Sequence, residues 1–392
     1  MALRKNQATL SDTEKKQFTD AVLKLKAGGS PGNRYDQLVS THINNVLYGH
    51  FGPAFFAWHR EFLIQFEQAL QTIKNDQSIA LPYWDWSINQ SATSFGWPFT
   101  QDFLGGNGQG SNWQVVDGPF AYSTGQWPLY VRTGSEPYPF LVRQFGPSQK
   151  PTRSLPTWAD VQAALKAIPY DVPPWDITSP TGFRNRAEGN IPFGMHNLVH
   201  MWVGGSMTTM TSPNDPVFWL HHCFMDRLWT DWQIMHQEQV AYLPRVGARS
   251  GHNLYDPMPP WTVRPADVLT TFDHGYHYDT DGLLLPGEVL YPGQSIYVPG
   301  DHRFYITYQK DGNLALWDRG WSSALWQSTK TAQPLGKCTM ESQGNLVIRD
   351  NNNNKIWESQ TDGHPGAYVG VRSDAKVSIY PAGSQTPIWT RP

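Results

Sequence analysis

The hydrophobic period of the chain changes once, near residue 285, and that change constrains the fold more than any other feature. Upstream of it, apolar residues recur at helical spacing. Ser11 opens a capping-box pattern with Glu14, followed by Phe18, Val22 and Leu25 on one face, which predicts an amphipathic helix ending at Gly28-Gly29. A second helix is expected from near Tyr35, with Leu38 and Ile43. The longest runs from Phe55 to Ile73, with Phe62, Phe66 and Leu70 four residues apart. Met195 to Met201 and Phe218 to Gln237 predict two more, and Thr157 to Ile168 a short one. The rest of residues 87–190, rich in Gly, Pro and Trp, reads as long loops ordered by packed aromatics, where a scaffold commonly supports a substrate mouth.

Downstream, a unit of turn, alternating strand, turn and Trp-bearing strand recurs. Tyr308 to Asp318 with Leu325 to Ser328 is the first, and Met340 to Asp350 with Ile356 to Ser359 the second. A more divergent third runs from Val371 to Tyr380 and then Ile388-Trp389. Three such repeats predict a closed threefold β structure, with Trp326, Trp357 and Trp389 near its axis. Two domains are therefore expected: residues 1–283, mainly α with a central helical bundle and long loops, and residues 284–392, an all-β threefold prism.

Thirty Lys and Arg against 33 Asp and Glu leave a net charge of -3, which points to no nucleic-acid or polyanion partner. Cys223 and Cys338 are too few and too far apart for a disulfide framework or a cysteine-rich metal site, which fits a reducing compartment. No window approaches a membrane span. The start, Met1 to Gln7, has basic residues without an apolar run, so location stays open between cytoplasm and export without a visible signal.

The chemistry lies in the histidines. His196 and His200, four apart on a predicted helix, present two imidazoles on one face, and His222 lies in the helical segment that follows. His42, His50 and His59 form an earlier triplet. Spacing alone leaves hydrogen-bonded core histidines as an equal reading of the His196/His200 pair. Six imidazoles with no carboxylate or thiolate among them suit a late first-row metal such as copper better than calcium or magnesium, and two triplets suggest two ions.

Phe51-Gly52-Pro53-Ala54-Phe55-Phe56-Ala57-Trp58-His59-Arg60 and the stretch from Ser212 to Asp226, with Asp215-Pro216-Val217-Phe218-Trp219-Leu220-His221-His222 inside it, resemble the two copper signatures of the tyrosinase family, particularly its bacterial members. Met195 to Gly205 resembles the start of the second copper motif, and the resemblance spans about residues 35–280. It implies that His42, His50 and His59 bind one copper ion and His196, His200 and His222 another. It also implies a small phenolic substrate, with dioxygen as co-substrate. Monophenols would be hydroxylated at the ortho position and ortho-diphenols oxidised to quinones. Catechol oxidation or ortho-aminophenol oxidation without monophenol hydroxylation is the alternative, and reversible dioxygen carriage a further one. A single such unit joined to a different C-terminal module fits an enzyme better than a carrier. Bacterial relatives also suggest a copper-loading partner.

Tyr48-Gly49 precedes His50 with no cysteine nearby, so the cysteine crosslink of fungal, plant and molluscan relatives is absent. His221 points about 100° away from His222 on a helix and is expected to support the site rather than bind metal. Arg60 and Asp226 are expected to pair and lock two ligand-bearing helices together. By resemblance, Glu188 and Asn197 would orient a water that takes the phenolic proton; otherwise they are a loop carboxylate and a helix-start hydrogen bonder. Met201 and Met210 fall at mouth positions associated with substrate preference, or are plain packing residues. As thioethers they offer no salt bridge to a substrate carboxylate.

The C-terminal repeats resemble the bulb-type mannose-binding lectins of plants, whose fold is a threefold β-prism. Gln309, Asp311 and Asn313 match that family's sugar site, whereas Ala315 and Trp317 replace its Val and Tyr, and the other two repeats diverge further. Carbohydrate binding is one expectation. A structural role, an anchor or a cover over the catalytic domain is the other.

Overall fold

The computed structural model describes residues 2–28, 32–94, 96–189, 194–236, 239–298, 303–328 and 334–392. Contacts divide the chain into one unit of Met1–Trp229 and Val240–Tyr276, and a second of Thr230–Gln239 and His277–Pro392.

The first unit is built on helices α1 (Asp12–Lys26), α2 (Arg34–Asn44), α3 (Val46–Gly49), α4 (Phe55–Lys74), α5 (Trp158–Leu165), α6 (Phe183–Glu188) and α7 (Met195–Val203), together with most of α8 (Val217–Met235). The capping box forms as the sequence predicts: the Glu14 N–H donates to Ser11 Oγ at 3.2 Å, and the Ser11 N–H donates to Glu14 Oε2 at 2.9 Å. α4 buries Phe55, Phe56, Trp58, Phe62, Phe66 and Leu70, and ends where Asn75 takes the left-handed conformation at φ 53°. α8 packs against it through Trp219, which stacks on Phe66 with ring centroids 3.7 Å apart. These two helices are the floor on which the histidines stand.

The long connections are ordered by aromatic packing, as expected. Phe145 stacks on Trp202 at 4.9 Å and meets Phe99 at 4.6 Å. Arg143, fully buried, adds a polar anchor: Nε and Nη2 donate to the Asp215 carboxylate at 2.6 and 2.7 Å, and Nη1 to the carbonyls of Leu104 and Gly105. One expectation needs correcting. Residues 183–188, read as loop, form α6, too short for a hydrophobic period to reveal. The predicted ends at Gly29 and Gln237 lie outside the described residues.

The described residues of the second unit contain three four-stranded antiparallel sheets. β3 (Ser295–Tyr297), β4 (Phe304–Tyr308), β5 (Leu314–Asp318) and β6 (Trp326–Gln327) make one sheet in that order. β7 (Lys337–Met340), β8 (Leu346–Arg349) and β9 (Lys355–Glu358) are joined by β2 (Val289–Leu290) on the β7 edge. β10 (Tyr368–Arg372), β11 (Lys376–Tyr380) and β12 (Trp389–Arg391) are joined by β1 (Leu283–Leu284) on the β10 edge. Inward-facing Leu314, Leu316, Leu346, Ile348, Val377 and Ile379 alternate along the central strands and share one apolar core. Trp326, Trp357 and Trp389 meet edge to face, 5.6–6.1 Å apart in all three pairs, which is the predicted cluster. No helix among the described residues is long and apolar enough to cross a membrane.

Candidate metal centre and substrate pocket

Each histidine is set by its element and aimed by a hydrogen bond. His42 stands on α2, His50 follows α3, His59 is on α4, His196 and His200 on α7, and His222 on α8. The Nδ1–H groups of His42, His59 and His200 donate to the carbonyls of Met210 (2.7 Å), Phe55 (2.8 Å) and Met207 (2.7 Å). His196 Nδ1 meets Asn197 Oδ1 at 2.9 Å. A carbonyl only accepts, so in these rings the proton sits on Nδ1 and Nε2 keeps a bare lone pair. Nδ1 of His50 and of His222 has no such partner among the described residues.

The bare nitrogens converge. His42 Nε2 and His59 Nε2 are buried without a hydrogen-bond partner. His222 Nε2 lies 3.3 Å from the Nε2 atoms of both His196 and His200. Lone pairs facing one another repel. Nitrogens bonded about 2.0–2.1 Å from one tetrahedral first-row ion would sit at roughly this separation. The two triplets adjoin, with the rings of His59 and His222 stacked at 4.2 Å. Burial holds all six on the neutral side, reinforced by neighbouring imidazoles at each except His200, with His42 and His200 down to about 4. Neutral imidazole is the ligating form, so this all-nitrogen donor set fits two copper ions.

His221 falls in the same metal-competent group as His196, His200 and His222. It stacks on His196 at 5.2 Å, and its Nδ1 accepts from the Trp86 indole N–H at 3.1 Å. Indole only donates, so the neutral ring carries its proton on Nε2 and offers no bare nitrogen.

Arg60 and Asp226 do pair, Nε donating to Oδ1 at 2.6 Å, both buried. The carboxylate also accepts from the Tyr276 hydroxyl at 2.7 Å and from Arg4 Nη1 at 3.3 Å, while Arg4 reaches Glu67 at 3.0 Å. Arg4 escaped the sequence reading because it lies in no periodic or motif-bearing segment, and Tyr276, at the end of the family-like stretch, had no spacing that tied it to Asp226.

A cavity of about 360 Å³ opens beside the histidines, with His42, His50, His196 and His200 in its wall. Glu188 and Asn197 line it too, although α6 and α7 carry them nine positions apart. Glu188 Oε1 accepts from the Phe51 N–H at 2.5 Å, whereas Oε2 is buried with no hydrogen-bond partner among the described residues, 3.6 Å from Arg184 Nη1. Burial pushes the Glu188 carboxyl up to about 7 against the opposing pull of Arg184. Asn197 Nδ2 donates to the Glu188 backbone carbonyl at 2.9 Å. Met201 and Met210 line the same cavity, together with Met207, which the sequence reading did not single out.

In the second unit Gln309, Asp311 and Asn313 come together and bond mainly to one another. Gln309 Nε2 donates to Asp311 at 3.2 Å, the Asn313 N–H to Asp311 Oδ1 at 2.9 Å, and the Trp317 indole to Gln309 Oε1 at 2.8 Å. The residue that departs from the lectin pattern thus occupies an acceptor of the one that keeps it.

A family model, the common central domain of tyrosinase, matches residues 32–235. The chain is 46% identical over 292 residues to a tyrosinase of Streptomyces glaucescens, covering 72% of this chain and all of that one. It is 38% identical to the grixazone synthase of Streptomyces griseus, covering 71% and 99%. A solved polyphenol oxidase variant from Thermothelomyces thermophila is 27% identical over 59% of this chain and 70% of its own, with a TM-score of 0.47. A monocot mannose-binding lectin from Gastrodia elata is 31% identical over 28% of this chain and 93% of its own, with a TM-score of 0.25. The chain belongs to the tyrosinase family, whose members carry a dicopper centre. It is a copper-dependent polyphenol oxidase.

Proposed function

We propose that this polyphenol oxidase uses dioxygen to hydroxylate monophenols at the ortho position and to oxidise ortho-diphenols to ortho-quinones. The observation that carries the reading is Glu188 Oε2, a buried acceptor without a hydrogen-bond partner among the described residues, in the wall that also holds His50 and His196. His42, His50 and His59 would hold one copper ion and His196, His200 and His222 the other. When bound, the pair supplies the redox chemistry of oxygen transfer.

The chain's own residues handle the proton. A monophenol reacts only once its hydroxyl proton is lost, and Glu188, half ionised near neutral pH, is matched to that task. The proton moves from the phenolic oxygen to Oε2, directly or through one water. Asn197 holds the Glu188 backbone on one side and His196 on the other, so base and ligand keep a common position. Met201 and Met210 pass a flat ring without imposing charge.

Copper-loaded Glu188→Gln tests the assignment with paired assays on a monophenol and its ortho-diphenol. Monophenol hydroxylation falls about 100-fold, the lower end of general-base contributions, while diphenol oxidation stays within about twofold. Equal retention of both activities would remove Glu188 from the role of base, whereas a parent that oxidises the diphenol but not the monophenol would be a catechol or ortho-aminophenol oxidase, which the same copper ligands serve.

A further inference from the structure

The segment from Tyr242 to Asp256 is pinned to the wall of the pocket. His252 Nδ1 accepts from the Ala54 N–H at 3.2 Å and its Nε2–H donates to the Leu47 carbonyl at 2.8 Å, while Tyr242 donates its hydroxyl proton to the His252 carbonyl at 2.7 Å. Asn253 and Asp256 brace the same turn through the N–H groups of Ala248 and Gly251. This rigid loop presents Arg249, exposed, with Nη2 donating to the His50 carbonyl. The N–H of that same peptide group, on Phe51, donates to Glu188 Oε1. One peptide is thus held between a guanidinium and a carboxylate. It keeps Phe51 at φ 63°, a left-handed conformation rare for a bulky residue and typical of sites where the surroundings enforce it.

We infer that Arg249 is a specificity determinant that selects phenols bearing a carboxylate on the ring's side chain. The inference rests on the phenol-oxidising reading of the pocket. His50, Phe51 and Glu188 all line the cavity, and the Arg249 guanidinium, which is not itself in that lining, bonds the His50 carbonyl behind them. With a ring's hydroxyl against the histidines, a para chain leaving past His50 and Phe51 would come within reach of this guanidinium. Glu188, Asp176 and Arg184 are the charges that act on Arg249. Glu188 engages Phe51 through Oε1, and one Asp176 carboxylate oxygen accepts from the N–H and hydroxyl of Thr178. Arg249 makes no further side-chain hydrogen bond among the described residues, which leaves its planar fork for an incoming carboxylate. The thioethers of Met201 and Met210 alone argue for decarboxylated or neutral phenols; the loop adds a cation that sequence spacing concealed.

The test uses the copper-loaded full-length protein and two diphenols that differ in charge, 3-(3,4-dihydroxyphenyl)propionate and 4-ethylcatechol. Arg249→Gln raises KM for the acid about tenfold and leaves kcat, and both constants for the neutral catechol, within about twofold, as for loss of one charged hydrogen bond. Arg249→Lys recovers part of the loss. Equal KM changes for the two catechols would show that Arg249 only holds the His50–Phe51 peptide, and no change would show that it meets no substrate; either overturns the inference. Calorimetric binding of 3-phenylpropionate, tenfold weaker in the Gln variant, reads the anion contact without turnover. Failure of the parent to oxidise either catechol would sink the oxidase reading instead, and the arginine would then stand or fall on that binding comparison.

Discussion

Glu188 illustrates how burial and charge compete at one side chain. Enclosure in the wall disfavours its ionised form, Arg184 and the Phe51 N–H favour it, and the balance places the carboxyl near 7. The sign of the resulting pH dependence follows directly. A base acts when ionised, so the ratio of monophenol to diphenol rate rises with pH through about 7 and levels off above it. In Glu188→Gln that rising limb disappears, as pH profiles of the two rates would reveal; an unchanged limb would assign it to another group. The tautomers of His42, His59 and His200 obey similar local logic, because a backbone carbonyl bonded at Nδ1 dictates which nitrogen is bare.

At the scale of elements, the site depends on holding α4 and α8 in register, since His59 and His222 stack across them. The cluster of Arg60, Asp226, Arg4 and Tyr276 does this from the buried side. Removing one partner of such a network leaves an uncompensated buried charge, at a cost of about 3–5 kcal/mol. Asp226→Asn therefore lowers Tm by several degrees and reduces bound copper, measured by thermal unfolding and metal analysis. Parent values for both would refute the locking role. The i, i+4 spacing of His196 and His200 made α7 legible from sequence. α6 was not, because six residues carry less than two turns of pattern, yet it supplies both Glu188 and Arg184.

For the whole molecule, the division of contacts matters more than the change of sequence pattern. Residues 230–239, which include the end of α8, group with the β unit, and His236 Nε2 contacts Gln294 there at 3.1 Å. The helix that bears His222 thus continues into the second unit. A truncation ending at residue 283 strips those last turns of their partners, so we expect a lower Tm and reduced copper retention together with loss of any retention on mannose resin. A truncated protein with parent Tm and a sharp gain in activity would instead identify the β unit as a cover over the catalytic domain.

Periodicity and repeat spacing determined the helical unit, the threefold β unit and its tryptophan cluster, because burial of one face per element is written into local sequence. The histidine motifs likewise announced the donor set. Tertiary structure decided the rest: Arg4 and Tyr276 joining Arg60 and Asp226, the shift of the Glu188 carboxyl, and Arg249 reaching the His50 carbonyl 199 positions away. Those contacts come from long-range packing and loop placement, and no period or spacing along a chain encodes which carbonyl a distant guanidinium will meet.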